Sequence, residues 1–140
     1  MPKNYLIIYS EQLATDIALL CQNIKAPSNS IFQIQKSSSS VYANIREANY
    51  GQSKADMLSK FEIALKECSE TEGWLQLLFN TNAIDEDTYK IIELDLLKNS
   101  KDIIEVNSFI DLLMKSKALM DKEYTSIAKI ELGNEIYFKE

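Results

Sequence analysis

Residues 31–50 read IFQIQKSSSSVYANIREANY and decide the fold. Apolar side chains recur at Ile31, Ile34, Val41, Ile45 and Ala48, with Ser38 at the one gap. Steps of three and four over more than two heptads are the signature of a helix that buries one seam. Four consecutive serines, Ser37 to Ser40, lie inside it. Small side chains let helices approach closely, and a helical serine can return its hydroxyl to a carbonyl of the preceding turn.

The same spacing extends in both directions. Upstream, Leu13, Ile17, Leu20, Cys21 and Ile24 predict a helix with Ser10 as its N-cap, ended by Pro27. The β-prone stretch Asn4 to Tyr9 before it reads as an extended lead-in or a frayed first turn. Ser28 is the expected cap of the second helix, and Gly51 suits the turn after it because glycine tolerates positive φ. Ser53-Lys54-Ala55-Asp56 resembles a capping box with Asp in place of Glu. The third helix then runs to about Phe79 on the seam Met57, Phe61, Ala64, Cys68, Thr71, Leu75, Leu78. Gly73 interrupts it, and a close neighbouring helix is the expected reason. Asp85 caps a fourth helix with the seam Tyr89, Ile92, Leu96, Asn99, Ile103, Val106, Ile110, Leu113. Continued to about Met120, it outruns the second and third helices, so its far end is expected to project or to find another partner.

From Tyr124 the period changes. Ile130 and Leu132, then Ile136 and Phe138, alternate with charge around Gly133-Asn134. This reads either as a hairpin or as a frayed extension of the fourth helix. Only three glycines and two prolines in 140 residues favour long helices and short loops. The expected architecture is all-α: an antiparallel up-down-up-down four-helix bundle over residues 1–122, with a C-terminal tail, arm or short β-hairpin over 123–140.

Composition narrows the chemistry. There are no histidines, which removes the commonest general base and the commonest transition-metal ligand. Cys21 and Cys68 stand at apolar helical positions and read as buried thiols. The net charge of -6 is uneven, with a balance of +1 over residues 1–52 and -7 over residues 53–140. The acidic second half opposes a broad phosphate-binding surface. Lys98, Lys101, Lys115, Lys117 and Lys122 are interleaved with Asp102, Glu105 and Asp111, and read as a solvated face rather than a nucleic-acid patch. No secretory leader and no membrane span are seen, so the expected location is cytoplasmic.

At residue level, Glu47 with Glu67 or Glu70 is the candidate paired-carboxylate site. Bundle carboxylate sites add a Glu-x-x-His motif, and without histidine a structural polar network is the stronger reading, with Asn44 and Glu47 bonding Lys60, Lys66 or Arg46 across helices. A catalytic serine would need a base, and Lys36 is the only basic residue within a turn of the run, so packing is preferred there too. Trp74 reads equally as an interface anchor and as partly buried core. No catalytic, cofactor-binding or metal site and no small-molecule substrate is expected.

At the second helix the pattern becomes specific. Gln33-Ile34, Ser40-Val41 and Ala43-Asn44-Ile45-Arg46-Glu47-Ala48 resemble the hallmark helix of the four-helix bundle proteins of the 23S ribosomal RNA intervening-sequence family. Ser53-Lys54-Ala55-Asp56, Phe61, Ile63-Ala64-Leu65-Lys66-Glu67, Ser69-Glu70-Thr71-Glu72 and Trp74-Leu75 are similar to its third helix. Together they cover roughly Ser10 to Ile110. The chain departs from the family at Gln35 and Lys36, where basic residues are usual, near Gly73, where an aromatic is frequent, and at Asn99, usually apolar. The resemblance makes Ser40, Asn44, Arg46, Glu47, Glu67 and Glu70 a family motif and implies an antiparallel bundle that assembles as a ring-like homopentamer. Members are bacterial, encoded within ribosomal RNA intervening sequences or as free-standing genes, and most have no known catalytic activity. The related accessory protein of diversity-generating retroelements partners a reverse transcriptase and nucleic acid. A self-assembling adaptor or scaffold, with a protein or RNA partner, is therefore the first expectation, and an RNA- or DNA-binding accessory protein the second.

Overall fold

Three of the four helices begin where a side chain offers their first amides an acceptor. The structure is a computed structural model that describes residues 4–115. Its helices are α1 (Tyr5–Asn23), α2 (Ser28–Asn49), α3 (Lys54–Asn80) and α4 (Glu86–Lys115). Ser53 accepts the Asp56 amide at 3.1 Å, and Asp56 accepts the Gln52 amide at 3.3 Å, so the capping box forms with its return bond one residue early. Asp85 accepts the Thr88 amide at 2.7 Å, and hydrogen bonds from Thr88 hold its carboxyl below the usual range. The α3 end is a Schellman turn: Ala83 N–H reaches the Leu78 carbonyl, Asn82 N–H reaches that of Phe79, and Asn82 takes φ 62°.

Three local expectations are corrected. α1 starts at Tyr5, because Asn4 accepts the Ile7 amide and is the N-cap. Ser10 lies inside α1, fully buried, and donates to the Ile7 carbonyl at 3.1 Å. Asn4 also donates to Asn49 at 3.1 Å, so burial against the end of α2 overrides the β propensity of Tyr5 to Tyr9. In α2, Ser28 is the first helical residue, and Pro27 stands at the N-cap without a side-chain bond. Gly51 is needed for space rather than for positive φ: a Cβ there would stand 3.2 Å from both the Ala48 carbonyl and Asp56 Oδ2.

The helices form a closed four-membered ring of neighbours, α1 to α2 to α3 to α4 to α1, with α2 and α3 packed most extensively. As residue numbers rise along one helix, those of its partners fall along the next. Ser37 meets Thr71 while Glu47 meets Lys60, and Gln76 meets Tyr89. Neighbours are thus antiparallel, as short connections require. The core is one cluster of inward faces centred on Leu13, Ile17, Ile34, Ile45, Phe61, Leu75, Ile103 and Ile110. All seven expected α3 seam residues are buried; on α4, seven of eight are, Tyr89 standing half-exposed and stacked on Phe79. The α4 seam stays buried through Leu113, so no unburied end projects within Glu86–Lys115. The expected continuation to Met120, the hairpin around Gly133-Asn134, the boundary at residue 122 and Lys117 and Lys122 lie outside the described residues.

Gly73 is the remaining correction. It is exposed, and a Cβ added there meets nothing within 4 Å, so no close neighbour explains it. The Gly73→Ala variant is expected to stabilise the protein by about 1 kcal/mol through helix propensity alone. Urea denaturation followed by circular dichroism checks this; an unchanged or lowered midpoint would show that the glycine has another role.

Candidate functional site

The serine run meets α3 at Ser37, while Ser38 and Ser39 line a hollow between α1 and α2. Ser37 and Ser38 are buried, Ser40 is half-exposed and Ser39 is exposed. Ser37, Ser38 and Ser39 donate to the carbonyls of Ile34, Gln35 and Lys36, each three residues back. Thr71 on α3 lies 2.8 Å from Ser37 Oγ and 2.8 Å from the Glu67 carbonyl. A relay satisfies both buried hydroxyls: Thr71 donates to Ser37, and Ser37 donates to Ile34. These protons are committed to structure, and none is aimed at a nucleophile's base.

The six motif residues fall into separate local groups. Asn44 donates to the Ser40 carbonyl at 2.8 Å and to Ser40 Oγ at 3.1 Å, along its own helix. Arg46 donates to the Tyr42 hydroxyl at 3.1 Å and lies 5.6 Å from its ring centroid. Glu47 bridges to Lys60 on α3 at 3.0 Å, the one cross-helix ion pair expected here that forms, and it raises the Lys60 pKa. Glu67 and Glu70 lie about two and three turns along α3 from Lys60. Glu67 is pushed above the ordinary carboxylate range by burial and then by Glu70, with Lys66 and Lys36 opposing. Glu47 therefore does not join Glu67 or Glu70 in a carboxylate pair. Trp74 is half-buried against the core. Burial raises the Cys21 thiol and pushes that of Cys68 up to about 11, which makes both poor nucleophiles. Among the described residues no group of three or more acids and cysteines could hold a metal ion. No described helix is long and apolar enough to cross a membrane.

A different pair of acids does meet, on α1 and α4. Asp95 faces Asp16, and burial followed by the contact with Asp16 drives the Asp95 pKa to about 7 against a small opposing effect of Lys98. Asp95 Oδ2 is buried and meets no hydrogen-bond donor among the described residues, while Asp16 accepts from Gln12 at 2.8 Å. Two ionised carboxylates can only accept; one proton placed between them turns repulsion into a hydrogen bond. Beside them Asn99, the polar residue in the α4 seam, donates to the Tyr9 carbonyl at 3.0 Å and the Asp95 carbonyl at 2.7 Å, tying α4 to α1. Sequence spacing does not reveal the acid pair, because its partners are 79 positions apart and flank two seams rather than occupying them.

Between about pH 4 and pH 7 the folded chain holds a proton on Asp95 that the unfolded chain has released, since its ordinary value of 3.8 is raised to about 7. The stability this proton supplies is full below about pH 4 and is lost as pH rises to about 7. Asp95 is partly open to solvent, so screening reduces the effect to about 1–2 kcal/mol. The Asp95→Asn variant is expected to gain that much over wild type at pH 8 and little at pH 4, as read by denaturant midpoints; equal gains at both would remove the pairing.

The comparisons with known proteins agree with this architecture. A family model described as 23S rRNA-intervening sequence protein matches residues 6–105. No curated protein matches the chain. Among solved structures, a protein with unknown function from the S23 ribosomal protein family of Bacteroides thetaiotaomicron is similar at 36% identity and a TM-score of 0.71, over 77% of this chain and 99% of that one. The four-helix fold, the motifs of α2 and α3 and the length of the match agree: this chain belongs to the 23S rRNA-intervening sequence protein family.

Proposed function

We propose that this protein is a non-enzymatic helical bundle that assembles with copies of itself in the cytoplasm and serves as an adaptor or scaffold. The observation that carries this reading is a second apolar stripe on α4. Leu94, Leu97, Ile104 and Leu112 are each more than half exposed, at 57%, 58%, 52% and 56%. At 100° per residue Leu94 and Leu112 lie opposite the buried seam of Leu96, Ile103 and Ile110, and Leu97 and Ile104 lie about 100–120° round from it on one flank. A helix that is apolar on two faces has a second partner to meet. Repeated head to tail around an axis, one such contact closes a ring, and five subunits is the number the family resemblance implies. The committed serine hydroxyls and the Glu47–Lys60 pair support a structural role for the motif. The acidic balance of residues 53–140 weighs against direct nucleic-acid binding as the main activity.

Light scattering at micromolar concentration tests the assembly. The expected mass is a multiple of 16.0 kDa, with five copies predicted. The Leu97→Glu, Ile104→Glu double variant is expected to be monomeric with its helical circular dichroism intact. A wild-type protein that is strictly monomeric would overturn the reading.

A further inference from the structure

The outer groove between α1 and α4 holds two hollows, one apolar and one of mixed polarity, with the acid pair at their junction. One, of about 290 Å³, is lined by Leu19, Leu20, Ile91 and Asp16 among others. The other, of about 180 Å³, is lined by Ile8, Tyr9, Gln12, Asp95 and Lys98. Leu19 is 52% and Ile91 59% exposed, so the first hollow has an uncovered apolar rim. The hollows lie one helical turn to either side of the acids: Leu19 and Leu20 on one side of Asp16, Gln12 on the other, and Ile91 and Lys98 flanking Asp95. Among the described residues Lys98 is the cation that acts on Asp95, and it leans over the Tyr9 ring at 5.9 Å.

We propose that the α1–α4 groove is a docking site for an amphipathic segment of a partner protein that presents one basic side chain, best an arginine, to Asp16 and Asp95 with apolar residues about one turn to each side. Three features fit that occupant. Asp16 and Asp95 face each other from α1 and α4 as two acceptors, and a guanidinium supplies donors to both carboxylates at once. The same cation relieves the repulsion between the carboxylates. Apolar side chains at the neighbouring turns cover Leu19 and Ile91 in one hollow and Ile8 in the other. The proposal deepens the adaptor reading by giving the chemistry of the partner, and it rests on that reading only for its biological setting.

The test uses the full chain and a fluorescent synthetic helical peptide of about 18 residues, with a central arginine and leucines one turn to each side. Anisotropy is expected to show saturable binding that tightens from pH 5 to pH 8 as Asp95 loses its proton. Replacing the peptide arginine by glutamine, or making the Asp16→Asn, Asp95→Asn double variant, is expected to weaken binding about tenfold or more. Equal affinity for both peptides or both proteins, or no binding at about 1 mM, would overturn the proposal. Light scattering on the same samples reads assembly separately. Binding retained by the Leu97→Glu, Ile104→Glu variant supports the groove as a site on the single subunit, even if self-assembly fails. An arginine-dependent signal whose NMR shifts centre on α2 and α3 instead of Tyr9, Asp16 and Asp95 would also overturn it.

Discussion

The approach of α2 to α3 is the constraint on which the bundle depends. At Ser37 and Thr71 two small polar side chains meet at 2.8 Å, fully buried, where the heptad pattern would admit larger apolar ones. Each hydroxyl finds an acceptor, so neither carries the desolvation cost of an unmade bond. Bulk at this level would drive the two backbones apart and loosen the buried cluster to which Val41, Ile45, Phe61 and Ala64 belong. Further along the same interface, Glu47 and Lys60 form a more exposed pair that fixes register at little energetic consequence. The serines thus set a spacing and leave chemistry to no one.

The other helices close on this pair through buried amides. Asn4 reaches Asn49 and joins the start of α1 to the end of α2; Asn99 reaches Tyr9 and joins α4 to α1. Against these ties stands the Asp16–Asp95 contact, the one place among the described residues where like charges face each other across a helix interface with a buried oxygen unsatisfied. The two halves of the bundle therefore differ in kind. The α2–α3 side is joined by buried hydrogen bonds, while the α1–α4 side holds an electrostatic conflict beside two open hollows, one of them apolar. A local conflict in an otherwise consistent structure is the expected mark of a site that meets something else.

Much of the fold is legible in the sequence, for an identifiable reason. The seams of α3 and α4 read correctly because period 3.6 is imposed by one buried face, and even the polar members Thr71 and Asn99 sit at their predicted places. The start of α1 reads wrongly because Ser10 occupies a seam position and breaks the apolar run Leu6, Ser10, Leu13, Ile17, Cys21. Asn4 before that run is the signal that finds the cap once a serine is allowed in the seam. Gly73 reads as a close contact and is an open position, because a glycine alone does not say which side of a helix its neighbour is on. The serine run reads as packing from its spacing, and its bonds run three residues back. What spacing cannot supply is the pairing of off-seam residues on different helices. Glu47 with Lys60 is inferable once α2 and α3 are set antiparallel; Asp16 with Asp95 depends on the register of α1 against α4, which no motif fixes.

The central claim is that Ser37, in the serine run, holds α2 to α3 through Thr71. A double-mutant cycle on Ser37→Ala and Thr71→Val, measured by denaturant unfolding, tests it most directly. The account predicts folded helical proteins in all four corners, each single variant less stable than wild type, and a coupling between the two of about 1 kcal/mol. A coupling indistinguishable from zero, or a gain in stability when Ser37 is enlarged to leucine, would contradict it.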